Sequence, residues 1–192
     1  MPHRIEEGLV KIAQGLQDEQ RWKKDPRLFP ENVAQHTLKL LVIVQLVKMM
    51  VRKYDSEIEF DGEILSDLAT IHDFGEAADD FGDIQEPYKT EEDERLEKVK
   101  FQEMVVFLPI DFQGKLLSLY DIQKGSSIES RLFRASELFV RLYYCLREID
   151  AGNVLFYKPL WTEYKKIQPF LEEFKGLKIM FEPIQEFLAD LH

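Results

Sequence analysis

Apolar residues recur at intervals of three and four along nearly the whole chain, and no run of strict apolar–polar alternation is long enough to specify a strand. That periodicity predicts an all-α fold, with helices over roughly 3–18, 33–53, 62–75, 91–107, 112–123, 127–151, 159–174 and 180–191. Asn32 with Gln35, Thr90 with Asp93 and Ser126 with Glu129 have the spacing of capping boxes, in which each side chain satisfies an orphan backbone donor. Gly152-Asn153 and Gly176 mark expected stops. The segment 20–32, QRWKKDPRLFPEN, reads as a structured loop because two prolines interrupt it, and 76–89 reads as an acidic connection.

A chain of 192 residues is long enough to close one hydrophobic core and does not require a second, so a single domain over 1–192 is expected. The 36 acidic against 25 basic residues leave a formal charge of −11, which disfavours binding to a nucleic-acid polymer, where phosphate neutralisation dominates. A small anionic substrate is still compatible, because a bound cation and one or two arginines reverse the field locally. One cysteine, Cys145, rules out an intrachain disulfide and a multi-cysteine zinc motif, and sits on an apolar helix as inert core. Together with an acidic first stretch unlike a signal peptide, it points to a reducing, cytoplasmic location. The longest apolar stretch, Leu38 to Met50, is broken by Lys39, Gln45 and Lys48, and no membrane span is expected.

The chemistry centres on LATIHDFGEAADDFGDIQEP, where an apolar helix leads into His72-Asp73. Adjacent helical positions lie about 100° apart, so the pair can lean toward one ion as a nitrogen and a hard oxygen ligand. Glu76 follows four residues after His72. Alone, such a dipeptide is common and reads first as a surface pair or a helix C-terminal cap. A second histidine, His36, shares a helix face with Val33, Leu40 and Ile43 and so points inward, where it must bond or ligate something. Glu137 shares an apolar face with Phe133, Val140 and Tyr144, although an ion pair with Arg134 or Arg141 serves it as well.

A His, a His-Asp pair and a distant acid on separate helices of an α-bundle resemble the HD-domain phosphohydrolases. RW followed by ENVAQH, HDFGE, GDIQEP and CLREIDAGN is similar, in order and separation across about residues 15–155, to the bacterial HD-domain 5′-deoxynucleotidases. The resemblance implies an HD-type bundle of about seven to eight helices, with 156–192 packing on its core. It implies that His36, His72 and Asp73 are metal ligands, that Glu76 and Asp83 are catalytic acids, and that Arg21 and Trp22 contact a nucleotide. The implied cofactor is a divalent transition metal (Mn, Co, Fe, Ni or Zn), the implied substrate a nucleoside 5′-monophosphate, and a homodimer is compatible with it.

Two positions depart from that pattern. Glu137 stands where the family has its distant Asp, with a longer reach. Two extra residues separate Glu76 from Gly82-Asp83, which leaves Asp79 or Asp80 as alternatives to Asp83. These departures keep a second expectation open: a degenerate HD protein that binds nucleotides or a partner without turnover. Phosphodiesterase and guanosine polyphosphate hydrolase activities share the same spacing. An oxygenase of the same superfamily needs more histidines, and only His3 and His192 are left.

Overall fold

The computed structural model describes residues 2–76 and 89–190, and among these it contains eight α-helices and no strand. They are α1 (Pro2–Asp18), α2 (Val33–Tyr54), α3 (Gly62–Ile71), α4 (Glu91–Val105), α5 (Ile110–Gln123), α6 (Ile128–Asp150), α7 (Tyr157–Glu173) and α8 (Lys175–Asp190). The all-α expectation holds. Both boxes at Asn32/Gln35 and Thr90/Asp93 form in full. The third start shifts by one residue, because Ser127 rather than Ser126 accepts the backbone N–H of Ser130.

Three of the boundaries that differ from expectation have a physical reason. A short 3-10 turn, Val154–Phe156, precedes α7, which therefore begins at Tyr157. Gly176 does not stop a helix but sits in the first turn of α8, where a Cβ would stand 2.6 Å from the backbone carbon of Met50. The missing side chain lets α8 cross α2 closely, and the carboxylate of Asp55, just past α2, accepts the N–H groups of Lys175 and Gly176 at 2.8 and 2.7 Å. Asp55 thus does for α8 what a local N-cap usually does. Finally, α3 ends at Ile71 rather than at 75.

One continuous core joins α2 through α8, with Leu40, Leu65, Phe101, Phe133, Phe156 and Phe181 among its fully buried side chains. α1 attaches through Ile12 and Leu16, which meet Met104 and Phe107. The central helix is α2: Val33, His36, Leu40, Val44, Val47 and Val51 are buried, and it packs on α3, α6 and α8. Contrary to the sequence expectation, α2 is long and apolar enough to cross a membrane by length and composition. Leu38, Val42, Leu46 and Met49 are exposed on it.

Candidate metal centre

Where α3 ends, the chain turns tightly: the N–H of Phe74 reaches the carbonyl of Ile71 at 3.0 Å and that of Glu76 reaches Asp73 at 3.0 Å. A Cβ on Gly75 would come within 2.9 Å of the Glu97 carbonyl oxygen, so this turn lies directly against α4. His72 is the helix C-cap and Asp73 lies beyond it. His72 keeps the helical backbone, its N–H on the Leu68 carbonyl at 3.1 Å, and Asp73 is carried by the turn that follows.

His36 comes from the first turn of α2, whose start is set by the Asn32/Gln35 box. Its ring centre is 5.4 Å from that of His72. His36, His72 and Asp73 are all buried, and one potential ligand atom of each lies within 4.8 Å of the others. Burial, and next the charge of Arg21, hold the His36 imidazole well below its ordinary pKa, so it is neutral, the form that ligates. Burial alone would raise Asp73, but His72 and Arg21 outweigh it and hold the carboxyl well below the usual carboxylate range.

The donor set itself fits a cation. Nδ1 of His72 lies 3.0 Å from the carbonyl oxygen of Ala69, which only accepts, so Nδ1 carries the hydrogen and Nε2 presents a lone pair. That Nε2 stands 2.8 Å from Oδ2 of Asp73 without hydrogen-bond geometry, and Nε2 of His36 is buried with no hydrogen-bond partner. Converging lone pairs out of water are costly unless a cation sits among them. Two imidazole nitrogens and a carboxylate oxygen suit a first-row transition ion.

Arg21 joins this group through its backbone. Gln20 and Asn32 form an isolated antiparallel bridge, in which Arg21 donates to the Glu31 carbonyl at 2.8 Å and Val33 to that of Glu19 at 3.0 Å. The bridge ties both ends of the 20–32 loop to the start of α2. Nη1 of Arg21 then donates to Asp73 at 3.1 Å and approaches Glu76 Oε2 at 3.7 Å. Both partners are nearly enclosed, so this pairing is stronger than a surface ion pair. Trp22 adopts a left-handed backbone, φ 58°, uncommon for a bulky residue. Its indole stacks on Tyr144 with ring centres 5.2 Å apart and 4° between planes, and meets Phe156 at 5.6 Å.

That loop is anchored by residues to which the sequence pattern assigned no part in the site. The fully buried Glu148 accepts the N–H groups of Leu28 and Phe29, each at 2.8 Å, and the amide of Asn153 at 2.7 Å. Asn153 also donates to Pro26, and Tyr144 to Phe29 at 2.6 Å. Arg147 covers the Phe29 ring at 3.9 Å. The signal was present in CLREIDAGN, since a proline-interrupted loop needs acceptors for its unpaired N–H groups. Nothing local said that Glu148 supplies them.

Glu137 is partly enclosed on α6, and its carboxylate is not among the three mutually close ligand groups. Arg141, one turn on, pairs with it and approaches Glu163 of α7 at 3.6 Å. Burial raises the Glu137 pKa, but Arg141 and His72 more than offset this and keep it ionised. Ser136 spends its hydroxyl on the Leu132 carbonyl. Asp83, Asp79 and Asp80 lie outside the described residues. Cys145 is buried in the core and burial pushes its thiol up, as an inert residue requires.

An all-helical bundle with a His/His-Asp cluster at its centre defines an HD-type protein, and comparison with known proteins agrees. The chain superposes on an HD-domain phosphohydrolase from Listeria innocua with TM-score 0.78 and 21% identity, covering 97% of this chain and 87% of that one. A protein from Pyrococcus horikoshii gives TM-score 0.74 at 21% identity over 97% and 99%. Residues 9–183 match the family model of the YfbR-like 5′-deoxynucleotidases, and the chain belongs to that family. A 5′-deoxynucleotidase from Yersinia pestis is 27% identical over 140 residues, 69% of each chain. The protein is accordingly a phosphohydrolase.

Proposed function

We propose that the chain hydrolyses nucleoside 5′-monophosphates, deoxynucleotides above all, at a divalent transition-metal site held by His36, His72 and Asp73. The observation that supports this most directly is the convergence of two buried imidazoles and an ionised carboxylate beside Arg21 and Glu76. When bound, a divalent ion lowers the pKa of water and offsets phosphate charge. Glu76 orients or deprotonates the attacking water. As the P–O5′ bond breaks, Asp83 gives a proton to the leaving oxygen, so that inorganic phosphate and a neutral nucleoside depart. Arg21 binds the phosphate with its planar fork, and Trp22 contacts the nucleoside. A panel of metal-loaded assays tests this. Phosphate release from 5′-monophosphates, with none from 3′-monophosphates or diesters, is the expected pattern; preference for a diester or a guanosine polyphosphate would overturn it.

The Arg21→Lys variant is expected to raise KM about tenfold or more with a smaller change in kcat, because a point charge does not reproduce two parallel hydrogen bonds. Initial-rate kinetics check this. An unchanged KM would confine Arg21 to holding Asp73 and Glu76.

Arg141's hold on Glu137 favours a second function, nucleotide binding without turnover. We propose instead that Glu137 is the fourth protein ligand and exchanges Arg141 for the ion. Glu137→Gln is then expected to weaken metal retention by about tenfold or more, read by titration of the metal-free protein. An affinity equal to that of the unsubstituted protein would leave three ligands and favour the binder.

A further inference from the structure

Outside the residues that the family resemblance singles out, a largely enclosed cation pairs with α4 beside the turn that carries Asp73 and Glu76. Lys89 lies immediately before α4, is largely enclosed, and pairs through Nζ with Glu97. Glu97 is itself buried on α4, beneath the turn that carries Asp73 and Glu76, because Gly75 packs on its carbonyl. Lys89 therefore sits at the seam between α4 and the catalytic turn, and it interacts electrostatically with Glu76 and Asp73 as well as with Glu97. Burial lowers its pKa, yet Glu97, with Glu76 and Asp73, outweighs burial and raises it, so the ammonium persists.

A counterion for Glu97 alone does not require Lys89, since Lys124 approaches the same carboxylate at 3.6 Å from an exposed position. A protein of net charge −11 that takes a dianionic ester needs fixed cations where the phosphate arrives. Arg21 reaches the centre from the loop side, beside Asp73 and Glu76. An enclosed ammonium on the α4 side supplies a second cation, with three donors on a flexible stem.

We propose that Lys89 is a phosphate-positioning residue, held by Glu97 so that its ammonium meets the phosphoryl oxygens of the substrate from the α4 side. This rests on the phosphohydrolase function proposed above. Glu97 is the anchor that Lys89 leaves, in part, when phosphate arrives.

Binding of inorganic phosphate to the metal-loaded protein, measured by calorimetry, tests the assignment. Lys89→Gln is expected to weaken phosphate about tenfold or more, as loss of a charge-assisted hydrogen bond does, with metal content unchanged. Lys89→Arg should recover most of the affinity. Glu97→Gln frees Lys89 and should leave phosphate binding equal or tighter, which keeps the idea testable if Lys89→Gln fails to fold. Lys124→Gln, which removes an exposed charge near the same anchor, should change phosphate affinity little. Unchanged phosphate affinity in a folded Lys89→Gln protein, an equal loss in Lys124→Gln, or weaker binding in Glu97→Gln would overturn the proposal. If the unsubstituted, metal-loaded protein binds no phosphate, the phosphohydrolase function fails instead.

Discussion

Replacing His72 with alanine is expected to abolish metal retention while leaving a helical protein. Nε2 of His72 is one of three converging ligand atoms, and its hydrogen-bearing Nδ1 is fixed by the Ala69 carbonyl. Losing one of the two imidazole ligands leaves too little binding energy to hold a first-row ion through purification. The ring also packs edge-on against Phe133, 5.5 Å between centres, so its loss opens a cavity that costs on the order of 2–4 kcal/mol. Circular dichroism separates that cost from metal loss. Asp73→Asn, nearly isosteric, should lose metal without opening a cavity. Retention of about one ion per chain in either variant would place the site elsewhere.

Loss of the Glu76 carboxylate is expected to lower kcat by about 10²–10⁴-fold with metal still bound, the range for removing a positioned general base. Glu76 is buried, closes the turn that begins at Asp73, and lies 3.7 Å from Arg21, so it stands beside the ligands without belonging to the trio. Glu76→Ala and Glu76→Gln should therefore both separate metal content from turnover. Metal analysis beside single-turnover kinetics makes the distinction. Full activity in either variant would reduce Glu76 to a structural partner of Arg21.

Helix content and most helix starts were legible because three- and four-residue periodicity and capping boxes are local signals, as Asn32 and Thr90 show. The end of α3 was not, because Gly75 is required by the approach of α4, from residues some twenty positions on. Gly176 misled for the same reason: its role is set by the backbone of α2. In the site, His36 and His72-Asp73 were legible from inward-facing positions together with a motif. Whether Glu137 meets an ion or Arg141 was not, since both partners suit a carboxylate one turn away on the same helix face. The partners of Glu148, Asn153, Lys89 and Glu97 were not legible because each acts on a segment distant in sequence or carries an ordinary surface-type residue into an enclosed place.

Metal-dependent phosphate release from a deoxynucleoside 5′-monophosphate tests the assignment of the His36, His72 and Asp73 cluster most directly. Protein stripped by a chelator should release no phosphate, and stepwise return of Co or Mn should restore activity in proportion to occupancy, saturating near one ion per chain. Undiminished turnover by the metal-free protein, or a fully metal-loaded protein that hydrolyses no 5′-monophosphate, would contradict it.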